Sequence, residues 1–124
     1  MKKSSIILIA ALCISCSASA EKLSAFFAYS VFNQPTGSPY IEAYLSITGR
    51  SVRFAPNSNG KLQGKIEVQW ILKKDSQIVA SDKYNLLSPE LADANAPQPD
   101  FIDQKRIAAS DGNYVLELTI TDNF

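Results

Sequence analysis

Apolar and polar residues alternate in short runs along most of this chain, and turn-forming residues break the pattern about every ten positions, the signature of an all-β domain. The first run, from Ser24 to Phe32, puts Phe27, Tyr29 and Val31 on one face. The run from Tyr40 to Thr48 is cleaner. Ile41, Ala43, Leu45 and Ile47 share one side and Glu42, Ser46 and Thr48 the other, which predicts a strand with one face in a core. Gly49 and Arg50 predict a tight turn into a short edge strand, Ser51 to Phe54, ended by Pro56. Asn59-Gly60 is the strongest hairpin signal in the chain. Beyond it, Ile66, Val68, Trp70 and Leu72 alternate with Glu67, Gln69, Ile71 and Lys73 in a long run from Leu62 to Lys73, with Trp70 expected to anchor the core. Lys74-Asp75-Ser76 turns into a weaker strand, Gln77 to Leu86. Strands are also expected over Phe101 to Ala108 and Asn113 to Thr121. In the last, Tyr114, Leu116, Leu118 and Ile120 face inward.

Two interruptions shape the topology. Pro35 and Pro39 leave no intact ladder between the first two runs. The segment from Ser88 to Asp100 carries three prolines and allows one helical turn at most. It is long enough to cross from one sheet to another. About seven strands, a core Trp and such a cross-connection predict an immunoglobulin-like two-sheet sandwich rather than a closed barrel.

The first twenty residues follow a different pattern. Lys2 and Lys3 form a positive start, Ile6 to Ile14 an apolar stretch of nine residues, and Ala18-Ser19-Ala20 a small-residue cleavage site. Cleavage between Ala20 and Glu21 makes residues 1–20 a signal peptide and 21–124 the domain. At about 1.5 Å per residue the apolar stretch is too short for a hydrocarbon core of about 30 Å, so no transmembrane segment is expected. The chain's two cysteines, Cys13 and Cys16, both lie in this segment. Discarded with it, they carry neither redox nor metal chemistry. Cys16, preceded by the small Ser15, is the candidate for lipidation and a lipid anchor, although Cys13 stands where such sites favour Leu. The expected location is therefore the periplasm or cell envelope.

Composition narrows the function classes. Lys+Arg and Asp+Glu are both 12, and removing Lys2 and Lys3 leaves the mature chain at a net charge of −2. No basic excess exists for phosphate binding, which argues against nucleic acid as a partner. The chain has no His, so the usual proton shuttle and the commonest metal ligand are missing.

The stretches FFAYSVF, SPYIEAYLSITGRSVRF, NGKLQGKIEVQWILKKDSQIVASDKYNLLSPE and DFIDQKRIAASDGNYVLELTITD together span residues 26–122 with short gaps. Their phrasing resembles the N-terminal region of GWxTD-domain proteins, exported proteins of Bacteroidota. The resemblance runs from about Ala25 to Phe124 and implies an extracytoplasmic β-sandwich leading into a further domain. The Gly-Trp-x-Thr-Asp motif itself is absent: Trp70 is the only Trp, and Gln69 precedes it. What the resemblance implies is location, architecture and a longer parent protein, with no chemistry.

Each candidate site competes with a simpler role for the same residues. Ser81 and Lys83 share a strand face and are the nearest approach to a Ser–Lys pair, but a solvated strand is the plainer account. Asp93, Asn95, Asp100 and Asp103 offer oxygen ligands for Ca²⁺ around the proline-rich connection. They lack the order of a calcium loop and suit turn chemistry better. In the run from Asp103 to Arg106, Lys105 and Arg106 point to opposite faces. Tyr40 and Tyr44 lie opposite the aliphatic row of their strand and form the candidate binding face, for packing against another domain or for stacking sugar rings. No catalytic residue, cofactor or metal ligand is assigned. The expected function is a non-enzymatic scaffold or protein-interaction module, whose partner is another protein domain, including its own C-terminal domain. The alternative is a carbohydrate- or peptidoglycan-associated binding module using Tyr40 and Tyr44.

Overall fold

A computed structural model describes residues 22–124. The signal segment, with its cleavage point at Ala20 and Glu21 and the candidate Cys16, lies outside the described residues. Seven strands follow in order: β1 (Ala25–Phe32), β2 (Tyr40–Ile47), β3 (Phe54–Pro56), β4 (Leu62–Lys74), β5 (Gln77–Leu87), β6 (Phe101–Ala108) and β7 (Val115–Asp122). They form two antiparallel sheets, one of three strands in the order β1-β2-β6 and one of four in which β4 pairs with β3, β5 and β7. The arrangement is consistent with a two-sheet sandwich.

Within the second sheet, β5 lies along one side of β4, and β3 and β7 share the other side end to end. The junction is tied by Arg53 N–H, which donates to Asp122 Oδ2 at 2.8 Å. Local chemistry sets the turns. Asn57 Oδ1 accepts from the N–H groups of Asn59 and Lys61, and Gly60 takes φ +70°, closing the β3–β4 hairpin. Asp75 and Ser76 both take positive φ, 51° and 64°, as a two-residue hairpin loop between twisted strands requires. The segment 88–100 does cross between the sheets, and Leu91 within it pairs back to Leu62.

The core is aliphatic. Ile47 on β2 clusters with Ile66 and Val68 on β4, Leu72 lies further along β4, and each of the four side chains is fully buried. Each stabilises the fold by about 1.5–3 kcal/mol relative to exposure. Leu45, Val52 and Phe101 extend the cluster.

Two expectations are corrected. Residues 49–51 form a turn of 3-10 helix, and β3 begins only at Phe54. The cause is Ser51, whose hydroxyl donates to Thr48 O (2.7 Å) and accepts from Ser24 N–H (2.9 Å); it curls the backbone where a strand was expected. Trp70 does not anchor the core. It is partly buried beside a cavity of about 20 Å³ lined also by Phe27, Tyr84 and Lys105, and its Nε1–H has no acceptor among the described residues. The centre belongs to the compact branched residues, which interdigitate between sheets more closely than an indole.

Candidate functional site

The outward face of the first sheet gathers side chains far apart in sequence. Register places Phe32 beside Tyr40, Ser30 beside Glu42 and Ala28 beside Tyr44 on one flank of β2, with Arg106 opposite Glu42 and Gln104 opposite Tyr44 on the other. All of these point away from the core, because the alternate residues Ile41, Ala43, Leu45 and Ile47 point into it.

Glu42 is the hub. It sits on the central strand, only 7% exposed, and a carboxylate so placed needs partners. The Tyr44 hydroxyl donates to Oε1 in a short hydrogen bond, and Arg106 Nε donates to Oε2 at 2.9 Å. The Tyr44 hydrogen bond first, then Arg106, hold the Glu42 carboxyl below the ordinary carboxylate range against the opposing effect of burial. The same bond pushes the Tyr44 phenol above its ordinary value. Arg106 also lies over the Tyr40 ring, 5.3 Å from its centroid, and Tyr40 stacks on Phe32 with centroids 5.2 Å apart and planes 15° apart.

A continuous chain of contacts results, Phe32–Tyr40–Arg106–Glu42–Tyr44, in which every charge is answered within the face. At the far end Phe26 and Ile102, flanking Ser46, stand 71% and 69% exposed. The face is thus an amphipathic platform, apolar at its ends and internally neutral at its centre.

The two tyrosines singled out from sequence therefore fall on one surface, but neither ring is fully presented. Each is partly buried, and Glu42 separates them along a strand that spaces their Cα atoms by about 13 Å. The other candidates disperse. Lys83 reaches Glu67 at 3.3 Å, on an exposed strand it shares with Ser81. Asp93 accepts from Asn95 N–H (2.8 Å), Asp100 from Gly49 N–H (2.8 Å), and Asp103 from the Tyr84 hydroxyl across the sandwich. Those four oxygen-bearing residues hold three separate pieces of backbone and core rather than one ion. Lys105 and Arg106 do part: Lys105 Nζ lies 4.2 Å from the Tyr84 ring centroid, Arg106 on the outer face.

Two acidic hubs were missed in the sequence. Glu42 is one. Glu90 is the other; its Oε1 accepts from Asn57 and Asn59, both at 2.7 Å, and Lys61 stands 3.5 Å from Oε2. Glu42's position between two tyrosines on a regular strand was a visible signal. Its pairing with Arg106 depends on the β2–β6 register, which crosses more than sixty residues of chain. Comparison with protein-family models, with curated proteins and with solved structures found no match.

Proposed function

We propose that this protein is a non-enzymatic, exported scaffold or interaction module of immunoglobulin-like type, working in the periplasm or cell envelope. In this reading β1, β2 and β6 take the places of strands A, B and E of that fold, and β4, β7 and β5 those of C, F and C′. The phrasing shared with GWxTD-domain proteins supports reading it as the N-terminal module of such a protein.

One observation carries the proposal: the outward face of the first sheet. Phe26 and Ile102 stand exposed on it, while its central charges are already satisfied by Tyr44 and Arg106. A partner domain covering that face buries apolar surface without stranding an unpaired charge. Tyr40 and Tyr44 are then packing residues within the platform.

Tyr44→Ala tests this. The expected result is a lower melting temperature, because Glu42 loses its donor, with no change in sedimentation with peptidoglycan or retention on glycan arrays. Saturable glycan binding that Tyr44→Ala abolishes at an unchanged melting temperature would overturn the proposal in favour of a carbohydrate module. The coding sequence downstream of Phe124 tests the family reading separately, by the presence or absence of Gly-Trp-x-Thr-Asp.

A further inference from the structure

Among the described residues the free edge of β1 differs from the other long edges; the remaining edge, β3, has only three residues and ends in Pro56. β6 carries Asp103, Lys105 and Arg106; β5 carries Asp82 and Lys83; β7 carries Glu117 and Asp122. Charges on edge strands oppose edge-to-edge pairing, because like charges meet when an edge finds its own copy. β1, AFFAYSVF, has no charged residue along its whole length.

Its backbone is ready to pair. Thr48 N–H donates to Ser24 O, so Ser24 belongs to a hydrogen-bonded pair with β2. Alternation then assigns Phe26, Ala28, Ser30 and Phe32 to β2 and turns the N–H and C=O groups of Ala25, Phe27, Tyr29 and Val31 to the open side. Those residues also point their side chains inward, yet Tyr29 and Val31 are 65% and 62% exposed. They overhang a groove of about 280 Å³ that runs along this flank, floored by Leu72, Tyr114 and Leu116 and without a charged side chain in its lining.

We propose that β1 pairs antiparallel with β1 of a second copy of this chain, joining the two three-stranded sheets into one across a two-fold axis. The axis passes Tyr29, which lies opposite itself. Phe27 then faces Val31 of the other copy on the inner side and Phe26 faces Phe32 on the outer side, so each large exposed apolar residue meets another large apolar residue. About six backbone hydrogen bonds close the free edge. The inner side chains of each strand enter the uncharged groove of the other copy. A neutral edge is self-compatible in a way that the charged edges are not, and a closed two-fold contact uses it up in a dimer. This inference does not rest on the outward-face reading. Tyr29 points to the opposite side of the sheet from Tyr44, so each can fail alone.

The self-opposed position gives the test. Wild-type protein and Tyr29→Phe are expected to sediment as dimers, with a Kd below about 100 μM. Tyr29→Lys and Tyr29→Glu each bring like charges face to face, and each raises the dimer Kd at least about tenfold. An equimolar mixture of the two restores dimers, as mixed Lys–Glu pairs. Circular dichroism checks that both variants keep the fold, as an exposed position allows. A monomeric wild type, Tyr29→Lys dimers as tight as wild type, or a mixture that stays monomeric would each overturn the proposal. The last two point to another surface.

Discussion

Gly49 sits where two connections between the sheets touch, and replacing it with alanine tests how closely they are locked. A Cβ at this position falls 2.2 Å from Pro99 O and 2.6 Å from Gln98 O. An ordinary carbon–oxygen contact is about 3.3 Å, so the 88–100 connection must retreat by about 1 Å. Neither oxygen is the end of a flexible side chain; both are backbone. Retreat also loosens the 2.8 Å hydrogen bond from Gly49 N–H to the Asp100 carboxylate. Overpacking of this kind costs about 1–3 kcal/mol, and a hydrogen bond to a charged acceptor contributes about 1.5–3 kcal/mol. With part of each incurred, Gly49→Ala is expected to lose about 3 kcal/mol, or about 15 °C in melting temperature for a domain of this size. Urea unfolding followed by circular dichroism reads the loss directly, with an unchanged m-value showing that the same surface is exposed. Gly60→Ala is the control. Gly60 has φ +70°, and a Cβ there meets no atom within 4 Å, so only backbone strain of about 1 kcal/mol applies. Should Gly49→Ala prove no more destabilising than Gly60→Ala, the close approach is not a constraint and the reasoning fails.

Two pH dependences follow from the tyrosine–carboxylate pairs. Burial first, then the Asp103 hydrogen bond, raise the Tyr84 phenol well above its ordinary value, so its contribution is full below about pH 10 and is lost as pH rises through the folded value. Tyr84→Phe should therefore show a smaller alkaline loss of stability than wild type in unfolding titrations, and parallel profiles would refute the inter-sheet role given to this hydroxyl. Glu42 is shifted the other way: its contribution is present above the ordinary carboxylate pKa and lost as pH falls through the lowered folded value. Glu42→Gln should be less stable than wild type at neutral pH, with the gap closing in acid below about pH 4; a gap independent of pH would show that the carboxylate charge is not what the face requires.

Strand identity was determined by the chain alone. In β2, β4 and β7 a period-2 alternation of apolar and polar residues has one good solution, because a shift by one residue would turn the whole apolar row into water. The turns at Asn59-Gly60 and Asp75-Ser76 were equally local, since positive φ is a demand on one or two residues. The short strand at Ser51 failed to appear because a single hydroxyl bonded to two backbone segments, one of them 27 residues away. Tyr40 and Tyr44 were legible as one face for the same periodic reason. Only the tertiary structure decided what that face is. Pairing of β2 with β6 brought Arg106 to Glu42 across 64 positions, and the tyrosines became supports for a buried carboxylate rather than free rings. The charge-free stretch of β1 was likewise visible from the start, but its meaning depended on β1 lying at an edge, and edges exist only once the sheets have formed. Local pattern sets which way each side chain points. Register and sheet order, fixed by long-range packing, set what it meets.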